Sequence, residues 1–184
     1  AINGFLEMIL EDKGKLGEEL KDNLNQIKKA DDRLLNLIED LLVVARAESG
    51  KMEITVSSQN MKKAIGDVLQ ELKPLADQKQ ISLRYEPMSE LPEVLADLQK
   101  LKEILVNIIG NAIKYDRVKG KITITHEIKD EFFITHITDT GIGLSKEEQK
   151  HLFEKFWRSD EAQVEVEGSG LGLFIAKQLV EIMG

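Results

Sequence analysis

From Glu18 onward, apolar residues recur in steps of three and four: Leu24, Ile27, Leu34, Ile38, Leu41 and Ala45, with Asp31 the polar residue in the series. That spacing predicts one long amphipathic helix with a heptad seam. Leu20, Leu35 and Leu42 widen the stripe beyond a two-stranded seam, as in a helical hairpin that packs on a second copy of itself to form a four-helix bundle. The alternative is a lone amphipathic helix packed on the rest of this chain. Ahead of it, a short apolar segment ends near Leu10, and Gly14 and Gly17 mark a polar turn.

After Gly50 the texture changes. "MEITV" and "ISLRY" alternate like strands, and "KITITHEI" and "FFITHIT" predict a hairpin with its turn at Lys129 to Glu131. Asn60 predicts the cap of a helix whose apolar face is Ala64, Ile65, Val68, Leu69, Leu72 and Leu75. Asp97 predicts the cap of a second, LQKLKEILVNIIGNAIKY. Ser145 with Glu148 three residues on reads as a capping box, and LFIAKQLVEIM as a last helix.

Composition narrows the chemistry. The chain has 184 residues, 42% of them hydrophobic, enough for one ordinary domain or for a small domain plus an appendage. Lys and Arg number 25 against 33 Asp and Glu, a net charge of −8, which argues against nucleic acid or an anionic membrane surface as the main partner. With no cysteine there is no disulfide or thiolate chemistry. No apolar run reaches the roughly 18 residues of a membrane span.

Two features remain that periodicity does not explain. At about 100° per residue, Glu103, Asn107, Asn111 and Lys114 share one narrow face of the helix after Asp97. Amide oxygens are hard ligands suited to Mg²⁺, and lysine suits phosphate. A plain solvated face would look the same. The second feature is a pair of glycine clusters, "DTGIGL" at 139–144 and "GSGLGL" at 168–173. The first follows a strand as a dinucleotide-binding turn does, but it has no third glycine, and its acid stands where phosphate would lie. A carboxylate is an acceptor alone, so its natural partner is an amino group such as the exocyclic amine of adenine. The second cluster opens a helix and can receive phosphates at the helix N-terminus.

In order and spacing these motifs resemble the catalytic core of the sensor histidine kinases, members of the Bergerat-fold ATP-binding superfamily. "NIIGNAIKY" is similar to their N box, "DTGIGL" to the first glycine box, "FEKFWR" to the phenylalanine box and "GSGLGLFIAK" to the second glycine box. The resemblance implies an α+β fold: a helical dimerisation hairpin over residues 1–50, then an α/β sandwich over 51–184, a mixed sheet with helices on one face. It implies ATP and Mg²⁺ as cofactors, with Asn111 on the metal, Asn107 assisting, Lys114 at phosphate and Tyr115 beside the base. Asp139 would bind the adenine amine with Gly141 and Gly143. Gly168, Gly170 and Gly172, with Leu171 and Leu173 between and beside them, would close on the phosphates. Ser145 to Glu167 would form a mobile lid carrying Phe153 and Phe156, which ordinary core packing could equally claim. The implied partners are a second copy through the hairpin and a response regulator receiver domain, with no nucleic acid and no direct membrane contact. The implied location is the cytoplasm.

The same resemblance places the phosphoacceptor histidine, in a motif like H-E-x-R-x-P-L, shortly ahead of Ala1, and a final β-hairpin beyond Gly184. His126, His136 and His151 lack that motif and read as ordinary surface or core residues. The rivals are another Bergerat-fold ATPase and a non-catalytic dimerisation or nucleotide-binding module. The first places a glutamate base four residues before the Mg²⁺ asparagine. Here that position is Asn107, whose amide cannot act as a general base.

Overall fold

The computed structural model describes residues 17–130, 132–159 and 168–184, together with Ile2, Leu6 and Ile9. The polar turn at Gly14, the end of the hairpin turn at Glu131 and the last part of the lid segment, 160–167, lie outside the described residues. The chain divides into two units, Ala1–Arg46 and Ala47–Gly184.

In the first unit, Ile2, Leu6 and Ile9 are helical, and helix α1, Glu18–Glu48, runs without a break. Leu6 and Val44 are buried. The residues of the predicted seam are not: Ile27, Leu34 and Leu41 are 51%, 56% and 47% exposed, with Leu20, Leu35, Ile38 and Leu42 exposed beside them.

The second unit is a layer of helices on a mixed sheet. Strands β2 (Ser82–Glu86) and β4 (Lys121–Lys129) pair in parallel, and β4 pairs with β5 (Phe132–Thr138) antiparallel. Helices α2 (Met61–Gln78) and α3 (Leu98–Tyr115) cover this sheet. Ile65 and Val68 of α2, Ile109 of α3, and Ile122 and Ile124 of β4 are completely enclosed in the core between them. A short helix α4 (Glu148–His151) and α5 (Gly172–Met183) complete the chain, α5 lying against α3. Both predicted caps form: Asn60 Oδ1 accepts the Lys63 N–H at 2.9 Å, and Asp97 Oδ1 accepts those of Gln99 and Lys100 at 2.9 and 3.1 Å. The box is reciprocal as expected, Glu148 N–H donating to Ser145 Oγ and Ser145 N–H to Glu148 Oε2.

One strand is displaced from its predicted place. "MEITV" has no ladder partner. Strand β1 is the next stretch, Ser57–Asn60, antiparallel to a short strand β3, Glu93–Ala96, that alternation does not reveal. Met52 and Ile54 are half-buried and alternate with exposed neighbours. Their period reports one-sided burial rather than pairing, and the Thr55 N–H is taken instead by the Asp97 carboxylate at 2.9 Å.

His126 sits on the covered face of the sheet, among Tyr85 and Phe133. Its ring nitrogens meet Thr135 Oγ1 at 3.1 Å and the Tyr85 hydroxyl at 3.2 Å, and its ring stacks on Phe133 at 4.9 Å. Burial, and then the neighbouring His136, hold its pKa below the ordinary 6.5. The unfolded chain therefore takes up a proton at this residue before the folded protein does, and stability falls as pH drops below 6.5. Melting temperatures taken between about pH 7.5 and about pH 5.5 are expected to fall more for the wild type than for His126→Gln. Equal slopes would remove His126 as a source of acid sensitivity.

Candidate functional site

Helix α3 carries the site. Its Asp97 cap sets where it begins, and its apolar side, Ile104, Leu105, Ile109, Ala112 and Ile113, is buried in the core. This orientation leaves Asn107, Asn111 and Lys114 half-buried along the other side, with Tyr115 as the last helical residue. Asn107 Nδ2 donates to the Glu103 carbonyl at 3.0 Å, one turn back. Its Oδ1 is thereby turned outward, toward Gly172. Glu103, the carboxylate on the same face, is paired with Lys100 at 3.0 Å.

The C-terminal end of α3 is held by one side chain from the neighbouring helix turn. Lys79 Nζ donates to the carbonyls of Ile113, Lys114 and Asp116 at 3.2, 2.6 and 3.3 Å. These are the carbonyls that a helix end leaves without intrahelical partners, and the ammonium also opposes the negative end of the helix dipole.

Both glycine clusters reach α3. At the first, Asp139 Oδ1 accepts the Gly141 N–H at 2.9 Å, and the Ile142 N–H donates to the Tyr115 carbonyl at 3.3 Å. A Cβ on Gly141 would lie 2.6 Å from that carbonyl oxygen. Gly143 has φ +70° and open space around it. At the second cluster, a Cβ on Gly172 would stand 2.7 Å from Asn107 Oδ1, and one on Gly168 would overlap the Lys114 ammonium. That ammonium lies 4.9 Å from the centre of the Tyr115 ring. Gly170, at φ +70°, presses against the backbone of Phe156, whose N–H donates to the Gly170 carbonyl at 3.0 Å. Backbone thus approaches Asn107 and Lys114 in places where any side chain would fill the space.

Most of the candidate residues therefore converge. Asn107, Lys114, Tyr115, Asp139, Gly141, Gly168 and Gly172 lie in one continuous set of contacts, with Asn111 on the same helix face. Leu173 is half-buried at the start of α5. Leu171 is fully enclosed, so its backbone alone can face a ligand. Phe153 and Phe156 are 45% and 57% exposed, which removes the core-packing alternative for them. Lys177 Nζ lies 5.8 Å from the Phe153 ring and Lys155 Nζ 5.1 Å from that of Phe174, so cations bridge this segment and α5.

Sequence reasoning passed over three residues that shape the site: Lys79, Asp116 and Thr140. A carboxylate directly after the helix and four positions before Gly120 was the one available signal. Among the described residues there is no group of three or more His, Cys, Asp or Glu side chains able to hold a metal ion. A cation here would rest on amide oxygens and on the ligand's own oxygens. This suits Mg²⁺, which keeps several waters and needs few protein ligands.

Two family profiles match the chain in succession. The His Kinase A (phospho-acceptor) domain covers residues 1–50, and the Histidine kinase-, DNA gyrase B-, and HSP90-like ATPase covers 96–184. The chain belongs to the sensor histidine kinases. The second profile alone is shared with gyrase- and HSP90-type ATPases; the first, preceding it, separates this sensor histidine kinase core from them. The cell-division control histidine kinase PdhS of Brucella suis is 27% identical over 201 residues, spanning 98% of this chain. Among solved structures, full-length ShkA in complex with AMPPNP is 30% identical with a TM-score of 0.80, covering 98% of this chain and 38% of that one. The Acinetobacter baumannii histidine kinase AdeS is 25% identical with a TM-score of 0.70, covering 98% and 81%. The histidine kinase ThkA in complex with the response regulator protein TrrA, at 23% identity and a TM-score of 0.71, shares the fold. The chain spans about a fifth of the length of its PdhS relatives, 19%. No helix among the described residues is long and apolar enough to cross a membrane.

Proposed function

We propose that this kinase core binds ATP with Mg²⁺ and transfers the γ-phosphoryl group to a histidine on the dimerisation hairpin, from which a response regulator receives it. The observation that carries this reading is the convergence of both glycine clusters on the polar face of α3. Asp139, at one end, offers an acceptor to the adenine amine, with Gly141, Gly143 and Tyr115 around the base. At the other end, Gly168, Gly170 and Gly172, with Leu171 and Leu173, bring backbone to the phosphates beside Lys114. Asn111, assisted by Asn107, would hold Mg²⁺, which would supply positive charge against the charge that develops on the phosphates. Phe153 and Phe156 anchor the lid.

In the transfer, a neutral imidazole nitrogen attacks the γ-phosphorus, the bond from that phosphorus to the bridging oxygen breaks, and ADP leaves with the electron pair. Phosphoryl transfer of this kind depends on positioning and charge stabilisation more than on covalent help from the protein. Water is a poor competitor, because Asn107 stands where a hydrolase needs a base and Glu103 is engaged with Lys100. The proposed division of labour is residues 1–50 for dimerisation and phosphotransfer and 51–184 for ATP binding and catalysis, in the cytoplasm.

The test is nucleotide titration followed by transfer. Asn111→Ala is expected to abolish the gain in ATP affinity that Mg²⁺ gives the wild type, while binding without the metal is kept. An unchanged Mg²⁺ dependence would remove Asn111 as the metal ligand. With a separate hairpin bearing the H-E-x-R-x-P motif, the chain should place acid-labile, base-stable phosphate on that hairpin. Fast turnover of ATP without an acceptor, or label on His126, His136 or His151, would overturn the kinase reading.

The exposed stripe of α1 is assigned to a second copy of the chain. Burying seven large apolar residues in a four-helix bundle fits its width. Light scattering is expected to give twice the chain mass, and Leu34→Glu with Leu41→Glu to give a monomer. The same mass for both proteins would place the dimer contact elsewhere or deny it.

A further inference from the structure

Asp116 is the residue after the last turn of α3, and among the described residues it is the buried carboxylate, 5% exposed. Its Oδ1 accepts the Thr140 hydroxyl at 2.9 Å and the Arg117 N–H at 2.8 Å. Its Oδ2 is enclosed with no hydrogen-bond partner. Enclosing a carboxylate with one oxygen unmatched costs free energy that capping a helix does not require, since an exposed side chain would serve. A Cβ on Gly120 would overlap this carboxyl group, so the turn that follows is shaped around it.

What the carboxylate holds is Thr140. Because the Thr140 hydroxyl donates to Asp116, its oxygen is left to accept, and it takes the Lys121 N–H at 2.9 Å. The Thr140 carbonyl accepts from Arg117 Nε at 2.7 Å. Segment 116–121 thus holds Thr140 through three bonds, and Thr140 adjoins Asp139. On the other side, Asp139 is set by its own bond to Gly141 N–H at 2.9 Å, and Ile142 by the Tyr115 carbonyl. The direction in which the Asp139 carboxylate points is determined between these two clamps, although Asp139 is itself exposed.

We infer that Asp116 is a positioning residue for base selection: through the Thr140 hydroxyl it aims Asp139 at the exocyclic amine of the nucleotide base. This rests on the ATP-binding reading above and assigns the site a determinant outside the residues that touch the base. A carboxylate one peptide away from its anchor keeps its aim while the anchor is hydrogen-bonded, and gains rotational freedom when the anchor is lost. Preference between an amine and a carbonyl on the base then declines, while backbone contacts to the phosphates persist.

The experiment is competitive titration of the full chain with ATP and with GTP. Thr140 is exposed, so Thr140→Val preserves the fold while removing the hydroxyl. It is expected to reduce the ATP-over-GTP preference about tenfold, the scale of one hydrogen bond, with GTP affinity unchanged and a fall in melting temperature from the two bonds lost to Asp116 and the Lys121 N–H. Thr140→Ser restores the hydroxyl and the preference. Asp116→Asn retains an acceptor and retains the preference; Asp116→Ala loses it by the same factor as Thr140→Val, and the two together lose no more. A merely structural Asp116 would lower the melting temperature and leave the ratio alone. An unchanged ratio in Thr140→Val, or a loss in Thr140→Ser equal to that in Thr140→Val, overturns the inference and leaves the ATP reading standing. A wild type that binds no ATP removes both.

Discussion

Asp139→Asn is expected to lose the preference for ATP over GTP by more than tenfold. The aspartate Oδ1 is committed to the Gly141 N–H at 2.9 Å. An asparagine can keep that bond with its carbonyl oxygen, so the turn survives. Its amide nitrogen then replaces Oδ2 and presents a donor where the wild type presents an acceptor. Against the adenine amine, donor faces donor. Against the guanine carbonyl at the same position, the new donor is welcome. A hydrogen bond to a charged group contributes about 1.5–3 kcal/mol, which sets the size of the loss. Competition titrations with both nucleotides measure it, and the melting temperature should stay near that of the wild type. If the variant still selects ATP as before, Asp139 does not read the base.

Gly170→Ala should be the most damaging of the glycine replacements in the second cluster. Two effects add. The residue has φ +70°, where an L side chain is strained. The new Cβ would also lie 2.7 Å from the Phe156 carbonyl carbon and 2.9 Å from the Trp157 oxygen, which are backbone atoms that cannot rotate away. Phe156 has φ +62°, so the opposing segment has little freedom to yield. Together these cost about 2–3 kcal/mol, or roughly 5–10 °C in melting temperature for a chain of this size. Gly143→Ala is the control. It has the same φ with nothing within 4 Å, so the dihedral cost acts alone. Equal melting temperatures for the two variants would show that the close approach at Gly170 does not exist. Affinity for ATP should fall in Gly170→Ala as the two segments part.

The features legible in the sequence were those decided within a few residues. Asn60 and Asp97 announce their helices because a cap acts on N–H groups two or three positions ahead. The order of the asparagine face and the glycine clusters was readable for the same reason, and the resemblance supplied the sheet. Strand pairing was less accessible. "MEITV" alternates yet has no partner, while Ser57–Asn60 pairs without an apolar face to advertise it. The supports of the site were least accessible. Thr140 meets Asp116 across 24 positions, and Lys79 meets the end of α3 across 34 to 37. Nothing local to a lysine in a turn, or to a threonine beside an aspartate, says which distant carbonyl or carboxylate awaits it.

The ammonium of Lys79 has three protons, and the three carbonyls at the end of α3 use them all. Its donor capacity is saturated by backbone. Arginine would be a poor replacement: its N–H groups spread in a plane from a wide fork and cannot converge from one atom on three oxygens. Acylation would be worse, removing the charge and leaving one N–H where three carbonyls need partners. A lysine that sequence comparison would file as a surface cation is, chemically, a closed valence at the foot of the site helix.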